Sequence, residues 1–249
     1  MRYDFNELFK RSKKAIIKYE MIADEKSIMV GLSGGKDSAA LLYVLKKFQP
    51  ISKYKYRLAA GHVSLGFPEE DITVLKDFCQ RLEIPFLEEK TAIGELVFQV
   101  KKENNPCSLC AKMRRGALNS LAKTNGYDKV ALAHHQDDVL ETLLLKTFFE
   151  GRLGSFNPVT YLDKKDLTVI RPFIYVPESL ISYIVQKEQI PTVKSRCPIN
   201  GQTKRQDMKE ILARIEILEP SVKDRGIGAL EKIFGDAWDG QKTAKESLP

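Results

Sequence analysis

The sequence predicts an α/β protein built on a parallel sheet of five strands with helices on both faces. Short runs that are almost entirely apolar alternate with longer segments of helical periodicity, which is the pattern of strands buried on both faces of a sheet. Polar or glycine-rich motifs follow the first, second and fourth apolar runs. Because ligands bind at the carboxyl ends of such strands, these motifs predict where the functional site lies.

The elements follow in order along the chain. The strands are expected at 27–33, 56–63, 84–90, 129–135 and 168–173. Helices are expected from apolar spacing and from start and stop signals at 5–22, 37–48, 69–82, 93–102, 108–125, 137–150, 178–189, 203–217 and 222–234. This order divides the chain into an N-terminal helix (1–24), a catalytic domain (25–176) and a C-terminal helical region (177–249).

Composition limits the classes of function. A chain of 249 residues with 43% hydrophobic and 29% charged residues can bury one sizeable core with a smaller appendage. No apolar run reaches the roughly 18–20 residues that cross a bilayer, and the N-terminus does not resemble a signal peptide. We therefore expect a cytoplasmic protein without a membrane partner. The net charge of +7 favours a polyanionic partner such as nucleic acid.

The motif GLSGGKDS, residues 31–38, lies between the first predicted strand and the helix that follows it. Gly34 and Gly35 allow the backbone to approach a ligand closely. The N–H groups from Ser33 to Ser38 would form a nest for an anion beside the positive end of that helix. The pattern is neither the P-loop nor the dinucleotide motif. A plain glycine-rich turn is the alternative.

SGGKDS resembles the signature of the PP-loop ATP pyrophosphatases, which split ATP into AMP and pyrophosphate. The resemblance implies an adenine nucleotide alpha-hydrolase-like fold with pyrophosphate held by Ser33, Gly34, Gly35, Asp37 and Ser38. It also implies that Lys36 lies beside the pyrophosphate and that Lys36 and Asp37 take part in catalysis. The expected ATP site is completed at the ends of three predicted strands by Leu32, Val63 and Ala133.

The stretch ALAHHQDDVLETLLL, residues 131–145, resembles the second signature of the tRNA-thiolating branch of that superfamily. Two acids at the start of a helix could hold a Mg²⁺ ion that bridges the phosphates of ATP, and Asp138 is a stronger candidate than Asp137. N-capping is the alternative for either acid. For His134 and His135, packing on the sheet and a chemical role both stay open.

The cysteines form two groups. Four cysteines are too few for a disulfide framework, and a CxxC pair in a cytosolic protein is typical of a metal or redox site. Cys107 and Cys110 form such a pair, which permits a disulfide switch, half of a zinc site or iron–sulfur ligation. Cys79 lies among apolar helix positions and is expected to pack in the core. Cys197 lies in a polar loop, and three thiolates are one short of closed zinc but suit a [4Fe–4S] cluster with one open iron.

The segment PCSLCAKMRRG, residues 106–116, resembles the tRNA 2-thiocytidine synthetases and the related 2-thiouridine synthetases, which bind a [4Fe–4S] cluster through three cysteines. The resemblance spans about residues 27–215. It implies Cys107, Cys110 and Cys197 as cluster ligands and Arg114 as a catalytic phosphate contact, with Arg115 as a second candidate. RCPIN at the third cysteine is closer to the 2-thiouridine type, but four cysteines cannot supply the zinc fingers of that type. The target base therefore stays open.

The implied reaction has three steps. ATP binds the phosphate loop with Mg²⁺ while Asp138 and Arg114 stabilise charge on the phosphates. The C2 oxygen of a tRNA pyrimidine attacks the α-phosphate, and sulfide from the open iron then replaces AMP. Basic residues near Lys46–Arg57 and Lys204–Arg205 are expected to contact the tRNA. Sulfide, a cysteine desulfurase or a sulfur-carrier protein would be the donor, and the resemblance suggests a homodimer.

Three alternatives stay open. A 2-thiouridine synthetase would take its sulfur from a carrier protein. A PP-loop sulfur transferase or amidating ligase would act on a small molecule without RNA. A nucleotide-binding sensor would use the CxxC pair as a redox switch, and it would release no pyrophosphate with any RNA.

Overall fold

In a computed structural model, the described part of the protein folds around one six-stranded sheet. The structure describes residues 3–23, 26–67, 71–97, 106–193 and 204–235. The sheet order is β3-β2-β1-β4-β6-β5. In chain order the strands are β1 (Lys26–Gly31), β2 (Tyr56–Ser64), β3 (Phe86–Lys90), β4 (Lys129–Ala131), β5 (Val159–Leu162) and β6 (Leu167–Ile170). All five predicted strands are confirmed, and their mutual pairing is parallel.

The prediction of five strands was wrong by one, because β5 adds an antiparallel edge. It pairs with β6 from Val159 opposite Ile170 to Leu162 opposite Leu167. No residue of β5 is fully buried, so this strand lacks the apolar run that identified the others. The predicted fourth strand was also too long. It ends at Ala131, and the next four residues lead into a helix at the functional edge of the sheet.

The helices agree with the predicted positions to within a few residues. They are α1 (Phe5–Lys18), α2 (Lys36–Phe48), α3 (Thr73–Arg81), α4 (Ile93–Glu95), α5 (Pro106–Thr124), α6 (Gln136–Glu150), α7 (Glu178–Lys187), α8 (Lys204–Leu218) and α9 (Val222–Phe234). The predicted helix at 93–102 is helical from Ile93, and its part beyond residue 97 lies outside the described residues. Among the described residues, no helix is long and apolar enough to cross a membrane.

Side chains alternate between the two faces of β1. Ile28 and Val30 belong to one buried cluster, which also contains side chains of α1, α2 and α7. Met29 belongs to the other, smaller cluster with Leu118 and Leu121 of α5. Because successive strand residues point to opposite faces, helices cover both sides of the sheet as predicted. Cys79 is 1% exposed within the larger cluster, so its predicted packing role is confirmed.

The parallel strands bring the predicted motifs to one edge of the sheet. Gly31, the last residue of β1, pairs with Gly61 in the second half of β2, whereas Arg57 lies near the start of β2. Lys46 and Lys47 lie in the last turn of α2, the helix that leads away from the phosphate loop. The basic residues of 46–57 therefore lie at the opposite end of the sheet from α8, which carries Lys204 and Arg205.

Candidate active site

A cleft of about 340 Å³ lies at the carboxyl ends of the central strands, under α5. Its volume is at the lower end of the range for small-molecule sites. Leu118, Leu132 and Val63 provide an apolar wall, and Arg114 provides a charge. The remaining residues that line it include Leu32, Ser33, Asp37, Ser38, Ala133 and His134. An apolar wall beside polar groups suits a ligand with an aromatic base and a charged tail.

Two glycines let the sheet and α5 approach closely at the floor of the cleft. A Cβ atom at Gly31 would lie 2.7 Å from Cδ2 of Leu118. A Cβ atom at Gly61 would collide with the side chain of Met29 and come within 3.1 Å of Leu118. These contacts are too short for any larger residue unless a neighbour moves. A larger residue at either position would therefore press on Leu118, which is part of the cleft wall.

The phosphate loop is held by its own serines. The hydroxyl groups of Ser33 and Ser38 lie 3.0 Å apart, and Ser38 Oγ donates to the carbonyl of Gly35 over 2.9 Å. Gly34 has φ of +88°, a conformation that glycine adopts without steric cost. Gly35 begins α2 without a side-chain cap, so the positive end of this helix is available to an anion.

Lys36 pairs with acids. Its Nζ donates to Asp37 Oδ1 over 2.9 Å and to Glu178 Oε1 over 2.8 Å. Burial opposes the charged form, but the hydrogen bonds to Glu178 and Asp37 outweigh it and raise the pKa of Lys36. Lys36 is not among the described residues that line the cleft. Its ion pairs instead tie the phosphate loop to the start of α7.

Helix α5 links the CxxC pair to the cleft. Cys107 and Cys110 are half-buried in its first turns, and no disulfide joins these two described residues. Arg114 follows Cys110 by four residues, so it lies one turn further along the same face. Its Nη2 lies 3.4 Å from the carbonyl oxygen of Ser33, and both Arg114 and Arg115 line the cleft. Two soft thiolates on one helix face suit an iron–sulfur cluster. Cys197 lies outside the described residues.

Asp138 is fully engaged by protein donors. Its Oδ2 accepts from the backbone N–H of His135 over 3.0 Å, which completes a capping box at the start of α6. Its Oδ1 accepts from Nη1 of Arg205 over 3.1 Å. The capping alternative for this acid is therefore the observed state.

Asp137 is engaged in the same way. Its Oδ1 lies 2.6 Å from Nζ of Lys223, and its Oδ2 accepts from the backbone N–H of Glu178 over 2.8 Å. All four oxygens of the Asp pair thus have protein partners. The described residues also contain no group of three or more His, Cys, Asp or Glu placed to hold a metal ion. The pair does not fit a resident Mg²⁺.

The two histidines have different surroundings. His135 is buried as the N-cap of α6, and its Nδ1 accepts from the N–H of Asp138 over 3.4 Å. His134 lines the cleft with its ring centroid 4.8 Å from that of Phe156. Burial, reinforced by the charge of Arg171, lowers the pKa of His134 to about 3. The ring is therefore neutral at neutral pH, and of the two it is the one within reach of a ligand.

The structure brings together part of the predicted ATP site. The residues of that set that line the cleft are Leu32, Ser33, Asp37, Ser38, Val63, Arg114 and Ala133. Lys36 and Asp138 lie beside it in ion pairs. Sequence reasoning missed Glu178 as the partner of Lys36 and Lys223 as the partner of Asp137, and it assigned Arg205 to RNA contact alone. A cation several turns away on another helix leaves no local pattern that would identify its partner.

Comparison with known proteins agrees with this geometry. Residues 5–208 match the family model of a PP-loop domain. A tRNA-cytidine(32) 2-sulfurtransferase of Citrifermentans bemidjiense is 33% identical over 232 residues, covering 92% of this chain and 91% of the relative. The enzyme of the same name from Pelobacter propionicus is 35% identical over 233 residues, covering 91% of this chain and 87% of the relative.

A solved structure shares the fold. The U34-tRNA thiolase NcsA from Methanococcus maripaludis, determined with its [4Fe–4S] cluster, superposes with a TM-score of 0.73. The alignment covers 91% of this chain and 78% of that one at 22% identity. The chain therefore belongs to the PP-loop family, in the branch that contains the tRNA-cytidine(32) 2-sulfurtransferases.

Proposed function

We propose that this protein is an ATP-dependent tRNA sulfurtransferase that converts a pyrimidine C2 carbonyl to a thiocarbonyl. The observation that carries the proposal is the position of α5, which presents Cys107 and Cys110 on the same helix as Arg114 of the cleft. A nucleotide site and a thiolate pair are thus one or two helical turns apart. The names of the relatives favour cytidine as the target base.

The ATP would bind with its base on the apolar wall and its phosphates at the loop. The backbone N–H groups at the amino end of α2 offer hydrogen-bond donors to the phosphates, and Ser33 and Ser38 hold the loop beside them. The guanidinium of Arg114 supplies a positive charge on the opposite side. Any Mg²⁺ is expected to arrive with the nucleotide and to be held by its phosphates. His134, neutral and at the cleft wall, can donate one hydrogen bond without adding charge.

The chemistry then takes two displacements. The C2 oxygen of the base bonds to the α-phosphorus as pyrophosphate leaves, and Arg114 stabilises the charge that develops on the phosphates. Sulfide next bonds to C2, and AMP departs with the former carbonyl oxygen. The activated base lies in a tRNA loop, where it can be splayed out without breaking a long helix.

Cys107 and Cys110, with Cys197 as a third thiolate, would hold a [4Fe–4S] cluster, which would supply an open iron as a binding place for sulfide. Val193 supports this choice of third ligand. Its N–H donates to the carbonyl of Gly34 over 2.8 Å, and it precedes Cys197 by four residues. The described chain thus reaches the phosphate loop four residues before the third cysteine in the sequence.

The proposal is tested by metal analysis and by product analysis. Iron and acid-labile sulfide are measured in protein purified without oxygen, for wild type and for Cys107→Ala, Cys110→Ala and Cys197→Ala, with core Cys79→Ala as the control. We expect about four irons per chain, lost in the first three variants and kept in the control. Zinc, or no metal in the wild type, would contradict the cluster.

The reaction itself is followed as pyrophosphate release with total tRNA, ATP and sulfide. Mass spectrometry of the digested tRNA then identifies the modified base. 2-Thiocytidine is the expected product, and 2-thiouridine would instead indicate the alternative branch. Pyrophosphate release that needs no tRNA would favour a small-molecule PP-loop ligase. Nucleotide binding without pyrophosphate release would favour a redox sensor.

A further inference from the structure

Three cations on the C-terminal helices pair with acids around the phosphate loop and the start of α6. We call Arg205 and Lys209 of α8, with Lys223 of α9, the C-terminal clamp. Each member contacts an acid at the edge of the sheet where the cleft lies. The proposed function assigns the clamp no role.

Arg205 makes three contacts with the first two turns of α6. Its Nη1 donates to Asp138 over 3.1 Å, its Nη2 donates to Thr142 over 2.8 Å, and its Nε lies 3.5 Å from Glu141. Burial raises the pKa of Glu141, and the charge of Arg205 opposes that effect. A planar guanidinium that engages three side chains at once fixes their relative positions more firmly than a point charge would.

Lys209 reaches the phosphate loop through a chain of ion pairs. Its Nζ lies 2.7 Å from Glu178 Oε2, while Glu178 Oε1 accepts from Lys36. Burial of Glu178 favours its neutral form, yet the hydrogen bonds from Lys209 and Lys36 lower the pKa to about 2. Glu178 is therefore ionised at neutral pH. Lys209 on α8 is thus connected through Glu178 to Lys36, which lies in the phosphate loop motif.

Lys223 closes the clamp from α9. Its Nζ lies 2.6 Å from Asp137 Oδ1 and 2.7 Å from Glu216 Oε2. The side chains of Lys223 and Asp137 are only 11% and 8% exposed. Charges buried to this degree are rarely left without a partner, because desolvation is costly. The acids of α6 thus have a cation from the protein itself at the place where the sequence motif suggests a metal.

We propose that the C-terminal clamp replaces a resident divalent cation at the Asp137–Asp138 pair and holds α6 and the phosphate loop in the geometry that receives ATP. Arg205 and Lys209 are then positioning residues, since they act through Asp138 and Lys36. The inference rests on the proposed use of ATP, but not on the RNA or the sulfur chemistry. It assigns a role to the helices beyond the sheet.

The first test measures Mn²⁺ binding by electron paramagnetic resonance, on the full chain without nucleotide. Wild type is expected to bind no Mn²⁺ tightly at this pair. Arg205→Ala uncovers the carboxylates of Asp138 and Glu141, oxygen ligands that suit Mn²⁺, and should gain a site. Arg214→Ala is the matched control, because Arg214 is exposed on the same helix. A wild-type Mn²⁺ site that Asp138→Asn abolishes would overturn the proposal.

The second test measures kcat and KM for ATP in pyrophosphate release, together with Tm. Arg205→Ala and Lys209→Ala should lower kcat/KM by about tenfold, because the loop and α6 lose their alignment. Arg205→Lys should recover part of this loss, and Arg214→Ala should match wild type. Unchanged kcat/KM in both alanine variants would refute the positioning role. A wild type that does not bind ATP would refute the proposed function instead, while the Mn²⁺ result would still decide the clamp.

Discussion

Replacement of Lys223 by methionine removes one charge from a buried ion pair. The ammonium group lies 2.6 Å from Asp137 and 2.7 Å from Glu216, and only the second acid, at 40% exposure, is well solvated. Burial works against the charge on Lys223, but its hydrogen bonds to the two acids prevail and raise its pKa. The folded protein therefore holds the proton of Lys223 more tightly than the unfolded chain does. The contribution of this proton to stability is fully present below pH 10.5, the ordinary pKa of lysine, and is lost as the pH rises above that value.

The expected loss in the free energy of unfolding follows from the ion pair that Asp137 loses. Breaking a buried pair from one side costs about 3–5 kcal/mol, because an uncompensated charge stays buried. The contact with Glu216 adds less than about 1 kcal/mol, as for other exposed pairs. Asp137 keeps its hydrogen bond from the backbone of Glu178, so we expect a loss near the lower limit, about 3 kcal/mol. For a chain of this size that corresponds to a fall in Tm of roughly 6–12 °C.

Urea unfolding followed by circular dichroism gives the free energy of unfolding and its dependence on urea. Lys232→Met is the matched control, because Lys232 is exposed on the same helix. The double variant Lys223→Met with Asp137→Asn should regain part of the lost stability, since no buried charge is left without a partner. A loss below about 1 kcal/mol for Lys223→Met, similar to that of an exposed pair, would refute the reasoning.

Three further predictions concern the cleft. Gly34→Ala should weaken ATP binding in calorimetry and cost about 1–2 kcal/mol of stability, because Gly34 has φ of +88° and an added methyl group would lie 3.4 Å from Cβ of Val193. Arg114→Ala should reduce kcat/KM for ATP by about 10²-fold, with a smaller loss in Arg114→Lys. His134 binds its proton only near pH 3, whereas the unfolded chain binds one near pH 6.5. Stability should therefore fall by up to about 1.4 kcal/mol per pH unit between these values on acidification, a slope that His134→Asn should remove in unfolding titrations.

Much of the fold was predictable because its signals are local. The strand, loop and helix from Lys26 to Phe48 are adjacent in sequence, and apolar spacing alone places Cys79 in the core. The edge strand β5 was missed because its half-exposed residues carry no apolar run. The nucleotide cleft was predictable in outline, since parallel strands bring their carboxyl ends together.

The state of the acids was not predictable from their motif. Asp138 stands at a helix start, where N-capping and metal binding need the same carboxylate. Whether Asp138 is free to bind a metal depends on Arg205, an ion-pair partner that lies 67 residues away in the sequence. For His134 and His135 the difference arises from the loop after β4, which turns the ring of His134 into the cleft and places His135 as the cap at the start of α6.

By itself, the sequence determined the order of the motifs along the strands, the phosphate loop and the spacing of Cys107 and Cys110 relative to Arg114. These features depend on neighbours within a few turns of chain, whose geometry the backbone dictates. Only the tertiary structure decided which acids are neutralised and by which cations. Ion pairs between distant helices depend on how those helices pack, because electrostatic partners are set by distance and burial rather than by position in the sequence.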